Sequence, residues 1–190
     1  HFSRYLFNFL SLYIMVDRDF EKVVLPMKNK MFRLAKRLLT SHEDAEEIVQ
    51  EALIKLWNKR ASFEADPPPI SFAMVVTRNL CLDMLRSKHK KYKKVNYDDL
   101  EYEIKSADYD IDKWTEHKDA YDAVRAIIDA FPEKWKTMVQ LRDVEGMSYK
   151  EIKDITGYEE TVIKATLSRA RTRIKEIMLK KYDYKYNDNK

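Results

Sequence analysis

The chain has 190 residues, a net charge of +4, 36% charged residues and only two glycines, Gly146 and Gly157. That length holds one large or two small domains, and so few glycines leave little for tight hairpins or phosphate-cradling loops, so an all-α chain of two small helical domains is expected. The modest charge excludes a uniformly basic coat and puts any nucleic-acid binding in local patches, while the single cysteine, Cys81, excludes an internal disulfide and fits a reducing cytosol.

Residues 1–19 open with the apolar run HFSRYLFNFLSLYI, which is too short for a membrane span and is interrupted by Ser3, Arg4, Asn8 and Ser11. No stable membrane insertion is expected. The run reads as an extension that is non-native or lies upstream of a natural start, for which Met15 is the candidate, and it lacks the small-residue cleavage site of a secretory signal. A first domain follows over 20–94. Its first helix spans Leu25 to Leu39, with Met27, Met31, Leu34, Ala35 and Leu38 on the buried stripe and Lys28, Arg33, Lys36 and Arg37 facing out.

The next helix begins near Ser41, where Ser41 and Asp44 resemble a capping box and Glu43, Asp44, Glu46 and Glu47 supply the negative charge that a helix N-terminus favours. Ala45, Ile48, Val49, Ala52, Leu53 and Leu56 recur at core spacing. The opposite face carries Glu47, Gln50, Glu51 and Ile54, and two readings are open for it: an ordinary solvated face with one exposed Ile, or an acidic docking face for a basic protein surface. Residues 61–70, ASFEADPPPI, form a loop stiffened by three prolines. A helix from about Ser71 then carries Phe72, Val76, Leu80 and Met84 in one row, widened by Val75, Leu82 and Leu85, with Asn79, Asp83 and Arg86 together on a polar face. It ends in the basic run RSKHKKYKK, either a solvated charge run or a surface for several phosphates.

Residues 95–117 reverse the charge and show no sustained apolar period, so they read as a flexible acidic linker. A second domain covers 118–180. Ala120, Tyr121, Val124, Ile127, Ile128 and Phe131 form a stripe that Pro132 ends, and a helix from Glu133 to Val144 stops at Gly146. Ser148 with Glu151 then makes a capping box for a short helix, Gly157 permits a turn, and a long helix follows with Ile163, Leu167, Ala170, Ile174 and Ile177 inward. Short helix, turn and long helix spell helix-turn-helix, with Thr161, Lys164, Ala165, Ser168, Arg169 and Arg171 on the face that would enter a major groove; a plain helical hairpin is the alternative. Residues 181–190 read as a loose polar tail.

DAEEIVQEALIKLW, TRNLCLDMLR and EGMSYKEIKDITGYEETVIKATLSRAR, in this order and with an acidic stretch between the last two, resemble regions 2.2, 2.3–2.4 and 4 of the bacterial sigma-70 factors. The two-domain arrangement is similar to the extracytoplasmic function (ECF) type. The resemblance implies a promoter-recognition subunit of RNA polymerase, cytoplasmic and monomeric, with no cofactor, no metal and no catalytic site. It implies that Glu47, Gln50, Glu51 and Ile54 sit against the β′ clamp helices of core polymerase, with the β flap a further contact. By the same resemblance the 61–70 loop with Phe63 captures a base of the minus ten element, beside Phe72, Arg78, Asn79, Arg86, Lys88, Lys90 and Lys91. Thr161, Lys164, Ala165, Ser168, Arg169 and Arg171 correspond to the minus thirty-five contacts, and an anti-sigma factor is the implied regulator. The chain departs from the family pattern at Phe72, where Trp is usual, and at Val162, Thr166 and the triple proline, so no promoter sequence is carried over.

Two other classes compete at this stage. A free-standing helix-turn-helix repressor needs a dimerisation segment, and none is evident in the sequence. A nucleic-acid enzyme needs a carboxylate or histidine cluster at catalytic spacing, whereas the carboxylates here fall on caps, one helix face and the linker, and His1, His42, His89 and His117 are scattered.

Overall fold

The computed structural model describes residues 18–59, 70–90 and 120–188, all helices and their connections. The chain divides into two compact units, one holding the first three helices and the other most of the chain from Lys88 on. The acidic stretch 95–117, residues 1–17, the loop with Phe63, and Lys91 lie outside the described residues.

In the first unit, α1 (Arg18–Leu39) packs along α2 (His42–Lys59). Met27, Met31, Leu34, Ala35 and Leu38 are buried as their spacing predicts, joined by Leu39. The helix starts a turn or more ahead of the expected Leu25 and takes Pro26 into its interior. Pro26 has no N–H for the carbonyl one turn back, so this opening stretch lacks one rung of its ladder. Between the helices Thr40 adopts φ 62°, the left-handed region where a Cβ is crowded. It stays there because its N–H bonds the Lys36 carbonyl at 3.0 Å, closing the helix end, and its hydroxyl donates to the Leu39 carbonyl at 2.6 Å. Thr40→Gly is therefore expected to raise the stability of this unit by about 0.5–1 kcal/mol, read as a higher urea midpoint at unchanged slope. A lower midpoint would mean that the hydroxyl bond outweighs the strain.

Helix α2 buries the six residues that its sequence picks out, Ala45, Ile48, Val49, Ala52, Leu53 and Leu56. Its cap is one-sided: Ser41 Oγ accepts the Asp44 N–H at 3.1 Å, but the Ser41 N–H goes to the Leu39 carbonyl at 2.7 Å instead of to a carboxylate. Helix α3 (Ile70–Lys90) turns a different face inward from the one its large apolar residues suggest. Ala73, Met74, Thr77, Leu80 and Cys81 are buried, whereas Phe72, Val76 and Met84 are only partly covered. The buried face carries small side chains at 73, 77 and 81, and the Thr77 hydroxyl is satisfied within the helix by the Ala73 carbonyl at 2.8 Å.

In the second unit, α4 (Ala120–Asp129) buries Ala123, Ile127 and Ile128. Tyr121, expected on that stripe, is 71% exposed, and Ala120 and Asp122 beside it are exposed too, so the first turn projects beyond its covering elements. Phe131 and Trp135 then meet edge to face at 5.3 Å. Helix α5 (Glu133–Val139) does not continue regularly to Val144: residues Gln140–Val144 wind as a π-helical turn. The Glu145 N–H reaches the Gln140 carbonyl at 3.0 Å, the Met147 N–H reaches Leu141 at 2.9 Å, and Gly146 takes φ 72° to close the end.

Helix α6 (Tyr149–Thr156) carries the full capping box, with Ser148 Oγ accepting the Glu151 N–H at 3.2 Å and Glu151 Oε2 accepting the Ser148 N–H at 2.7 Å. Gly157 at φ 75° ends it, and α7 (Glu160–Asp188) follows. Ile163, Leu167, Ala170 and Ile177 face inward as predicted, Ile174 is half-buried, and Thr166 is buried with them. The expected loose tail is instead helix as far as Asp188. No Gly or Pro follows Gly157, so nothing in the covalent chain stops the helix once it has begun.

Candidate functional site

On α2 the buried stripe fixes the rotation of the helix, which leaves Glu47 and Glu51 exposed and Gln50 and Ile54 half-exposed on the outward side. Spacings of three, four and seven residues bring these four side chains onto one strip. Glu51 pairs with Lys55 at 3.0 Å, with both side chains about half exposed, an ion pair worth little in water and easily exchanged for another cation. At the helix N-terminus the Glu43 carboxyl lies below the ordinary carboxylate range, because its own backbone N–H and the Ser41 hydroxyl both donate to it. The strip is thus an acidic ridge with one aliphatic side chain, built on a rigid element.

Helix α3 separates its predicted contacts. Asn79, Arg86 and Lys88 are exposed, and Arg86 Nη1 holds Asp83 at 3.1 Å. Phe72 is half-buried with the Lys59 ammonium 5.6 Å from its ring centre. Arg78, expected beside Asn79 at a nucleic-acid face, is only 8% exposed. The backbone of Lys90 closes the helix.

On α7 the six predicted residues separate from the core. Thr161, Lys164, Ala165, Ser168, Arg169 and Arg171 are all exposed, opposite Ile163, Leu167 and Ala170. Several are already engaged with their own fold. Lys164 binds Glu160 at 3.1 Å and lies 4.9 Å from the ring centre of Tyr149, which Arg142 approaches at 4.7 Å. Arg171 grips Asp143 with two hydrogen bonds, and that carboxylate, more than the opposing effect of burial, holds the guanidinium pKa above its ordinary value. Glu159, which would face phosphates without a partner, is taken by Lys153 at 2.7 Å across the turn. Sequence reasoning missed Asp143, Tyr149 and Arg142 as parts of this surface. Each comes from an element before α7, and no local spacing joins them to it.

Among the described residues no group of three or more His, Cys, Asp or Glu side chains could hold a metal, and no helix is long and apolar enough to cross a membrane. The described residues present an acidic ridge on α2 and a cation-bearing helix face on α7.

Comparison with known proteins matches the segments that carry these two faces to one family. A Sigma-70 region 2 model covers residues 24–91, and a Sigma-70, region 4 model covers residues 121–174. The chain is 26% identical over 166 residues to the ECF RNA polymerase sigma factor SigE of Mycolicibacterium smegmatis, covering 85% of this chain but 62% of that protein's length. It is 28% identical over 156 residues to the RNA polymerase sigma factor SigV of Bacillus subtilis, covering 82% of this chain and 88% of the relative. Among structures, the sigma factor RpoE of Bartonella quintana, crystallised with the anti-sigma factor NepR, superposes with a TM-score of 0.64 over 85% of this chain and 97% of that one. At 22% identity this likeness shows the fold.

Proposed function

The chain belongs to the sigma-70 family of RNA polymerase sigma factors, and from that membership we propose that it is an ECF-type subunit that binds core RNA polymerase and directs it to promoters. The observation that carries this reading is the conjunction of the two surfaces on two separately packed units, in family order. The outward strip Glu47, Gln50, Glu51 and Ile54 on α2 has the acidic and aliphatic character that suits a basic helical surface such as the β′ clamp. The exposed face of α7, Thr161, Lys164, Ala165, Ser168, Arg169 and Arg171, has the donors that suit an upstream promoter element, with the β flap supporting this unit on polymerase.

On α3, Asn79, Arg86 and Lys88 are the exposed donors for the minus ten element, with Phe72 and the residues 61–70 as its base-capturing edge. Extruding a base costs a few kcal/mol, so polymerase and this unit contribute to melting together. Arg78 supports that face from within, since its side chain is buried. Polymerase performs the chemistry of RNA synthesis and this chain selects where it begins, as a cytoplasmic monomer. A protein antagonist of the anti-sigma kind is the proposed regulator, supported by the complex in which the structural neighbour was crystallised.

The test is reconstitution. The purified chain with bacterial core polymerase is expected to select a common two-part sequence from randomised duplex DNA and to start transcripts downstream of it. Tight, salt-dependent duplex binding without polymerase, and no transcripts with it, would point to a free-standing repressor instead.

A further inference from the structure

Asp143 and Arg171 are separated by 28 residues and meet in a side-on pair, in which Nε donates to Oδ2 at 3.3 Å and Nη2 donates to Oδ1 at 2.5 Å. A guanidinium carries five N–H donors in a rigid fork. The carboxylate occupies the Nε–Nη2 side of the fork, which leaves the Nη1–Nη2 end with two parallel N–H groups and no acceptor among the described residues. Arg171 is itself half exposed, and Asp143 is the more covered partner at 33%. Asp143 is also well anchored. It sits on the π-helical turn, where Gln140 Nε2 holds Glu145 at 2.9 Å and Arg142 Nη1 holds the Met147 carbonyl at 2.6 Å.

An exposed ion pair by itself contributes little stability. A guanidinium held by its side edge has lost the rotamer freedom that binding would otherwise remove, and its end edge matches a pair of acceptors. Building on the reading of α7 as a DNA-facing helix, we propose that Asp143 is a positioning residue that presents the end edge of Arg171 to two adjacent acceptors of duplex DNA. The acceptors share one chemistry, paired lone pairs about 2–3 Å apart, and are either guanine O6 and N7 or two phosphate oxygens.

The sign of one measurement decides the matter. Removing a negative charge near a polyanion strengthens binding if charge alone acts, whereas losing a positioning residue weakens it. Reconstituted holoenzyme carrying Asp143→Asn is therefore expected to bind the duplex selected by the wild-type holoenzyme about 3- to 10-fold more weakly. In an Arg171→Lys background the same substitution is expected to leave binding equal or slightly tighter, because lysine has no fork to orient and only the removed negative charge acts. Arg171→Lys alone keeps the charge and is expected to lose a similar factor, which preserves the test if Asp143→Asn lowers the melting temperature.

If the acceptors are guanine, the loss is confined to duplexes with guanine at one upstream position. If they are phosphates, it is equal on all duplexes and the salt dependence becomes shallower by about one counterion. Equal or tighter binding by Asp143→Asn overturns the proposal. Failure of the wild-type chain to bind core polymerase or to select any sequence is a separate result, and it overturns the sigma reading on which the proposal rests.

Discussion

Replacing Gln50 and Glu51 together by alanine is expected to lower affinity for core RNA polymerase by on the order of 100-fold, with the melting of the first unit unchanged. Two interface residues at about 1–2 kcal/mol each account for that loss, since side chains at the centre of an interface carry most of its energy. The fold should be indifferent because the six buried residues of α2 lie on the opposite side, and Glu51 gives up only an exposed pair with Lys55. Titrating labelled polymerase with wild type and double variant measures the effect. A change under threefold would remove this strip from the interface and leave the solvated-face reading in possession of it.

Leu167→Ala is expected to abolish upstream promoter discrimination by unfolding the second unit. Leu167 is 1% exposed, at the centre of the inward face of α7 between Ile163 and Ala170. Truncating a buried leucine costs about 2–5 kcal/mol, comparable with the whole stability of a small helical domain. The expected signature is loss of one helical transition in thermal melting, with polymerase still bound through the first unit. Equal movement of both transitions would instead mean that the units fold cooperatively.

The two substitutions probe regions of unequal legibility. Helix α2 could be read residue by residue because its six core positions are all aliphatic and its other face is charged, so the 3.6-residue period is visible without knowing the partner. The helix-turn-helix was equally open, since Ser148, Glu151 and Gly157 each have a local reason to be where they are. Helix α3 was less so. Apolar residues surround much of it, and the face that packs is marked by Ala73, Thr77 and Cys81, small side chains whose role depends on how near a neighbour comes. Arg78, which the family resemblance put among the minus ten contacts, is buried, and Tyr121, which its spacing put in the core, is exposed.

The amino-acid sequence by itself determined the capped starts of α2 and α6 and the inward stripe of α7, because each rests on interactions within about one or two helical turns, while the scarcity of glycine pointed to the all-helical class and the resemblance of three motifs in order pointed to the family. Tertiary structure decided which side of α3 is covered, where α5 gives way to a π-helical turn, and which side chains attend the α7 surface. Asp143 reaches Arg171, and Arg142 and Lys164 share the ring of Tyr149, only after separate helices have packed. No periodicity records such pairings, since a hydrogen bond across 28 residues depends on the path of the whole backbone between its ends.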